Sequence, residues 1–477
     1  MPIPFRKKKE QTISPKDIDP DAISVLRRLN KAGYIAYLVG GGVRDLLIGR
    51  RPKDFDIATN ASPRQIKSLF RNSFLIGRRF RLALIRFGNK QIETATFRRS
   101  PETGDDNGGD VESPGALYQE ADNLFGTPEE DAQRRDFTVN ALFYDIESRQ
   151  IIDYTDGLRD IEKKVLRSIG DPNIRFREDP VRMLRAVRLS ARIDFNIHSD
   201  SAKAITRHAS EIMQASKPRL FEETIRLFTY NKSEEAFRRL WKSGLMREVL
   251  PAIDTYIDRS GGKKSDAWRY LAALDAAEIS SEDVPRGSPY TIRENALQLA
   301  VLLAPLFFEH CKIEDEPNRN EVADTAEQLV NDILITPYST ESWRIPRFLC
   351  QDTVNILESA AYFKSQTVKK PRFFRQPWFY TAMHFWRICS VARNDKTAPT
   401  VIDSWADAFE SSIATRQTQR RRPPHTTKKT SSKEAGEAAL QSPVTPRKRK
   451  RRRRPPAGNN AAKTNDNSLE KNKQKST

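Results

Sequence analysis

An α/β or α+β domain followed by an all-helical remainder is the architecture this sequence predicts, on three observations. Up to about Gly170, short alternating apolar stretches are interleaved with glycine turns and short helical stretches. From Asp179 onward the apolar spacing is helical and stays so. After about Ser411 the chain turns rich in Ser, Thr, Pro, Lys and Arg, a composition that buries too little apolar surface to fold alone. At 477 residues there is room for two or three domains with sizeable cores.

In chain order, residues 1–20 read as a loose leader and Ser24 to Ala32 as an amphipathic helix. Tyr34 to Val39 is a short strand, followed by Gly40, Gly41 and Gly42, where backbone can approach a ligand closely. Val43 to Ile48 reads as a short helix. A second strand is expected to carry Asp54 and Asp56, which, two apart, would project from one face. Gln65 to Phe70 is helical. Leu82 to Phe87 and Gln91 to Phe97 form a hairpin about Gly88-Asn89, with Arg78, Arg79 and Arg81 just before it. Ser100 to Asn123, Gly- and acid-rich, reads as a mobile surface loop. Asp131 to Asp145 returns polar chemistry to an apolar setting, and a turn at Asp156-Gly157 leads to a short helix and a strand ending at Gly170. Asp179 as N-cap and Pro180 as first residue open a helix. On that helix Arg182, Arg185, Arg188 and Arg192 share one face, while Leu184, Val187 and Ala191 face the core. Further helices are expected at Ser201–Phe228, Ser233–Leu250, Ser265–His310 and Glu321–Ile335, and from Phe363 to Ala392 with breaks at Pro371 and Pro377.

The formal net charge of +19 is unevenly placed. From Ser411 to the end there are 19 Lys/Arg against 4 Asp/Glu, including an unbroken basic run from Arg447 to Arg454. The remaining 410 residues are close to neutral. Such a tail attracts polyanions by counterion release and without reading sequence, which points to tethering nucleic acid. No apolar run is long enough to span a membrane, and the basic N-terminus lacks a signal-peptide apolar core. Cys311, Cys350 and Cys389 are far apart and odd in number, so neither a disulfide framework nor a zinc site is expected; a reducing, cytoplasmic location fits.

The chemistry centres on Leu38 to Thr59. Paired carboxylates near a glycine turn suit hard divalent ions such as Mg²⁺ beside a phosphate-binding backbone, the requirement of metal-assisted phosphoryl transfer. DFD alone would also fit a solvated acidic edge. A third carboxylate is usually wanted, and Asp136 and Glu93 are both candidates; Asp136 could instead pair with Arg135. Arg44 suits a triphosphate, or it pairs with Asp45 or Asp54. The turn lacks the GxGxxG spacing of a dinucleotide fold and the GK[ST] of a P-loop. Glu178, Asp179, Arg182 and Arg185 combine acids and arginines able to satisfy a nucleobase edge, or else form a solvated face.

LVGGGVRDLLIG…DFDIAT, RRDFTVNAL, DYTDGLRDI and EDPVRMLRAVR together resemble, in order and spacing over about residues 35–200, the motifs of class II nucleotidyltransferases. This DNA polymerase beta-like superfamily includes tRNA CCA-adding enzymes and bacterial poly(A) polymerases. LFRNSFLIGRRFRLALIRFG and the arginine-rich tail look like those of bacterial poly(A) polymerases. The resemblance implies an α+β fold: a small mixed-sheet head over 21–172, a helical neck over 173–240, a helical body over 241–410 and a disordered basic tail over 411–477. It further implies Mg²⁺ on Asp54 and Asp56, with Asp136 as third catalytic residue. Gly41, Gly42 and Arg44 would hold the ATP triphosphate, with Arg135 and Asn140 near phosphate or ribose. Arg182 and Arg185 would contact the nucleotide, Asp179 and Arg182 reading adenine. The implied activity is template-independent transfer of AMP from ATP to RNA 3′ ends in RNA processing or decay. CCA addition to tRNA is the nearest rival. An RNA-binding protein with a decayed site is a third reading, against which the intact DFD, RRD and EDPVR motifs stand.

Overall fold

Seven strands form one mixed sheet in the order β3-β4-β5-β2-β1-β6-β7. They are β1 (Ala36–Val39), β2 (Asp56–Thr59), β3 (Ser73–Ile76), β4 (Leu82–Phe87), β5 (Lys90–Thr96), β6 (Leu142–Tyr144) and β7 (Ile151–Asp153). Among the described strands of this sheet, β2 and β5 run parallel and the other neighbours antiparallel. The computed structural model describes residues 13–77, 82–99, 125–279, 292–311, 318–364, 373–397, 400–409 and 411. The arginine cluster at 78–81, the acidic loop from Ser100 to Asn123 and the tail beyond Ser411 lie outside the described residues.

The pleat divides the sheet between two cores. Ala36 and Leu38 of β1 and Ile57 of β2 enter the main core with Val25, Leu26 and Leu29 of helix α1 (Pro20–Lys31). Val39 and Ala58 point the other way, to a small cluster with Phe97, Ala132 and Phe143. Helix α2 (Gly41–Leu47) follows β1 directly, and α3 (Pro63–Leu69) opens with a Ser62–Gln65 capping box. The expected hairpin forms with Phe87 opposite Lys90 across a two-residue turn. Helices α4 (Pro128–Gln133), α5 (Gly157–Lys163) and α6 (Pro172–Glu178) lead into α7 (Val181–Ile193), whose apolar face is buried. Val165–Leu166 and Asn196–Ile197 form a separate parallel pair flanking α7. The helices that follow are α8 (Ser199–His208), which packs on α6, α9 (Lys217–Ile225) and α10 (Ser233–Lys242), which pack on α7, and α11 (Leu245–Val249), which packs on α10; Ala267–Ala276, Glu294–His310, Arg347–Glu358 and Phe379–Arg393 build an aromatic-rich core beyond. The three cysteines are buried there as packing residues.

Several expectations need correction. From Ile13 on, the leader is not loose: Ile13 and Ile18 are buried, and the Tyr144 hydroxyl donates to the Ile13 carbonyl. The first helix starts at Pro20, because Asp19 caps it with a carboxylate bond to the Asp21 amide. The glycine-turn helix begins at Gly41 rather than Val43. Asp54 lies ahead of β2, and only Asp56 is on the strand. β3 was not expected; its exposed Phe74, Leu75 and Ile76 give no alternation to read. Asp179 does not cap α7: it ends α6, and its carboxylate is taken by Arg219.

Candidate active site

The carboxylates gather at the start of β2 and the middle of its neighbour β5. β2 and β5 are in parallel register with Ile57 opposite Thr94, so Asp56 and Glu93 stand side by side one position earlier, on the face away from α1. Asp54 joins them from the preceding loop. The Gly42 Cα faces this loop closely; a methyl there would lie 3.4 Å from the Asp54 carbonyl oxygen. Burial pushes the Asp56 carboxyl up to about 6, reinforced by Glu93 and Asp54 and opposed by Arg135. Desolvation and Asp54 push Glu93 up as well. Repulsion among these acids, offset in part by Arg135, is what a bound cation would relieve. Among the described residues no group of three or more Asp, Glu, His or Cys is assembled to hold an ion by itself. A donor set of two or three carboxylate oxygens nonetheless fits Mg²⁺, which binds through one or two carboxylates and completes its shell from phosphates and water.

A second, cationic group lies across the glycine turn. Gly40 has φ +71°, a conformation open to glycine, and a Cβ there would lie 3.2 Å from Arg135 Nη1. Arg44 is only 3% exposed and folds back under the turn. Its Nε and Nη2 donate to Asp45 Oδ1 at 2.9 and 2.7 Å, and its Nη1 donates to Asn140 Oδ1. Burial pulls its pKa down. Of the two partners the sequence offered Arg44, the structure selects Asp45.

Asn140 passes the network on, donating from Nδ2 to Asp136 Oδ1 at 3.0 Å. The Phe137 amide donates to the same oxygen at 2.8 Å, and Arg185 donates to Oδ2 from Nε and Nη2 at 3.0 and 2.6 Å. Burial alone would raise the Asp136 carboxyl; Arg185 and these hydrogen bonds outweigh it and hold it well below the usual range. Arg185 is correspondingly raised by Asp136. Arg135 does not pair with Asp136. It donates to Asp131 Oδ2 at 3.0 and 2.7 Å and lies over the Phe143 ring. The two candidates for third carboxylate thus differ: Glu93 stands beside Asp56, whereas Asp136 Oδ1 is held by Asn140 and the Phe137 amide and its Oδ2 by Arg185.

The arginine face of α7 is real, and each of its four arginines has an acidic partner. Arg182 donates to the Arg175 carbonyl at 3.2 Å and to Glu178 at 3.4 Å, with Asp179 at 3.9 Å. Arg185 and Arg188 share buried Glu223 of α9, at 3.4 and 2.7 Å. Arg192 reaches Asp45. The sequence reading missed Arg175, whose Nη2 donates to the carbonyls of Arg134 and Arg135 and so holds the RRD segment. It also missed Asp131, Arg219 and Glu223. Asp131 had a signal: it sits three and four residues before Arg134 and Arg135 on a helix end. The DYTDGLRDI stretch supports the site from beneath. Asp153 accepts the amides of Thr155, Gly157 and Leu158, and Asp160 holds Thr138 and Arg167.

Comparison with known proteins places this geometry in a family. Residues 36–167 match the family described as poly A polymerase head domain, and residues 194–257 match one described as the probable RNA and SrmB-binding site of polymerase A. Poly(A) polymerase I of Salmonella typhimurium is 36% identical over 413 residues, covering 86% of each chain. The CCA-adding enzyme of Lactobacillus johnsonii is 37% identical over 298 residues, 60% of this chain and 71% of that protein. In fold, the chain is similar to the Bacillus stearothermophilus CCA-adding enzyme crystallised with CTP, with a TM-score of 0.55 at 24% identity over 83% of each chain.

Proposed function

Since the chain belongs to the poly(A) polymerase family of nucleotidyltransferases, we propose that it adds AMP from ATP to RNA 3′ ends without a template and releases pyrophosphate. The observation that carries this reading is the juxtaposition of Asp54, Asp56 and Glu93 with the buried Arg44 across the Gly40–Gly42 turn. The mutually repelling acids would meet the attacking hydroxyl and the ion, and the cationic network would meet the triphosphate.

Asp54 and Asp56, with Glu93 beside them, are the residues that would hold Mg²⁺. When bound, the ion would lower the pKa of the 3′-hydroxyl and neutralise charge on the displaced pyrophosphate. The chain's own residues do the positioning. Gly41 and Gly42 let phosphates approach the turn, and Arg44 and Arg135 supply positive charge there. Asn140 and Asp136 fix Arg44 and Arg185 in place, with Asn140 beside the ribose. Glu93, adjoining Asp56, is the better candidate for third carboxylate; Asp136 is a positioning residue whose oxygens are already occupied. Asp179, Arg182 and Arg185 are proposed to meet the adenine. Residues 21–172 would act as head, 173–240 as neck and 241–410 as RNA-gripping body, with the basic tail on RNA phosphates. No helix among the described residues is long and apolar enough to cross a membrane, and a cytoplasmic location is proposed.

The CCA-adding reading is favoured by one observation, the likeness to the Lactobacillus johnsonii enzyme at an identity similar to that of the poly(A) polymerase. One experiment separates the readings. The protein and Mg²⁺ are incubated with a generic RNA, or with tRNA lacking its CCA end, and ATP and CTP are supplied separately. Long A-tails on generic RNA are expected. Incorporation confined to tRNA, CTP first and then ATP, would establish the rival. No incorporation anywhere would leave an RNA-binding protein.

A further inference from the structure

Arg192 lies at the far end of α7 from the residues assigned above, yet it connects to the centre of the site. Its Nη2 donates to Asp45 Oδ2 at 2.7 Å, and the other oxygen of that carboxylate is the one Arg44 uses. The Asp45 side chain is 4% exposed, and Arg44 is as deeply buried. Arg50 of the segment after α2 also donates to the Arg192 carbonyl. Two guanidiniums therefore share one buried carboxylate, and the trio carries one surplus positive charge. With Asp45 and Arg44 alone the charge would sum to zero, directly beneath the turn proposed to hold phosphates.

The other side of Arg192 is equally built. The Tyr230 ring lies 4.1 Å from its guanidinium carbon, a cation–π contact, while the same ring is 47% exposed. Tyr230 reaches this position through unusual backbone. It has φ +68° and Asn231 has φ +51°, two successive non-glycine residues in the left-handed region, at the kink before α10. A bulky aromatic at positive φ is strained and persists only where surrounding contacts hold it. Here the kink aims the ring at Arg192.

We infer that Arg192, clamped by Tyr230, is a positioning residue for the nucleotide's phosphates: by occupying one oxygen of Asp45 it prevents that carboxylate from cancelling Arg44 and locks α2 of the sheet domain to α7. Electrostatic influence of Arg192 on Arg44 accords with this, lowering the Arg44 pKa in addition to burial and against the pull of Asp45. The inference rests on the assignment of Arg44 to phosphate, not on the identity of the base added.

Binding of inorganic tripolyphosphate to the full-length protein, followed by calorimetry, tests it without turnover. Arg192→Gln is expected to weaken tripolyphosphate about tenfold, to raise KM for ATP to the same extent, and to change kcat less than about twofold. Inhibition by adenosine, which carries no phosphate, should be unchanged. Tyr230→Ala should weaken tripolyphosphate in the same selective way by about threefold, and Tyr230→Phe, which keeps the ring, should restore it. Unchanged tripolyphosphate binding in Arg192→Gln, or equal losses for tripolyphosphate and adenosine, would overturn the inference. If Arg192→Gln does not fold, Tyr230→Ala decides by the same two criteria. A wild-type protein that binds tripolyphosphate but transfers no AMP would refute the proposed function and leave this inference standing.

Discussion

Glu93 and Asp136 make opposite predictions at the scale of single residues. Glu93→Gln should lower AMP transfer at saturating ATP by on the order of a hundredfold or more if, as proposed, Glu93 shares the ion with Asp54 and Asp56. Asp136→Asn should instead raise KM for ATP, because it releases Arg185 and Asn140. The reverse pattern in steady-state kinetics would make Asp136 the third carboxylate. Asp136 also carries a pH signature. Its folded-state pKa is depressed, so its stabilising contribution is present above the unfolded carboxylate value near about 4 and is lost as pH falls through the lower folded value. Asp136→Asn should cost about 2 kcal/mol at pH 7, since Arg185 keeps Glu223 as a second partner, and the gap from wild type should narrow below about pH 4. Urea denaturation at pH 7 and pH 3 would show it; a gap unchanged down to pH 2 would count against the ion pair. Residue types and spacing made Asp54, Asp56, Arg44 and the α7 arginine face legible in the sequence. Partner choice was legible only in part: Asp131 stands at helical spacing before Arg134 and Arg135, whereas Arg185 meets Asp136 only once the chain has folded.

Among the elements, the short turn and helix at Asp156–Lys163 are the most sharply constrained. A Cβ on Gly157 would lie 2.4 Å from the Thr138 carbonyl oxygen, in the segment carrying Asn140. Gly157→Ala must displace that backbone. It should cost about 2 kcal/mol by chemical denaturation and raise KM for ATP, since the displaced stretch positions Arg44 through Asn140. Wild-type stability in this variant would contradict the packing described. Most elements could be read from local pattern: the Leu82–Phe97 hairpin from its alternation and turn, and α7 from its period. The failures have physical causes. β3 is an edge strand with Phe74, Leu75 and Ile76 all exposed, so no burial pattern marks it. Asp179 has the sequence of an N-cap, but Arg219, distant in the chain, claims its carboxylate in a bidentate pair at 3.0 and 2.8 Å.

For the whole molecule, the division of charge predicts a division of labour. A chain ending at Ser411 loses a net charge of about +15, and its RNA affinity should fall, with a shallower dependence on salt. Addition of a single AMP at saturating RNA should survive, because every residue assigned to chemistry lies between Gly41 and Arg192. Loss of chemistry in that truncation would contradict the placing of the site. The order of an N-terminal mixed sheet and a helical remainder followed from the change of apolar period near Asp179. The parallel β2–β5 pairing that brings Asp56 beside Glu93 did not, since strand order is set by long-range packing that no local pattern encodes. Asp54 and Asp56 are proposed to hold the ion on which AMP transfer to RNA depends. Single-turnover transfer from labelled ATP to an RNA oligonucleotide, comparing wild type with Asp54→Asn at matched RNA occupancy, tests it most directly. The expected result is a loss of at least about a thousandfold in transfer with RNA binding intact; transfer within about tenfold of wild type would contradict it.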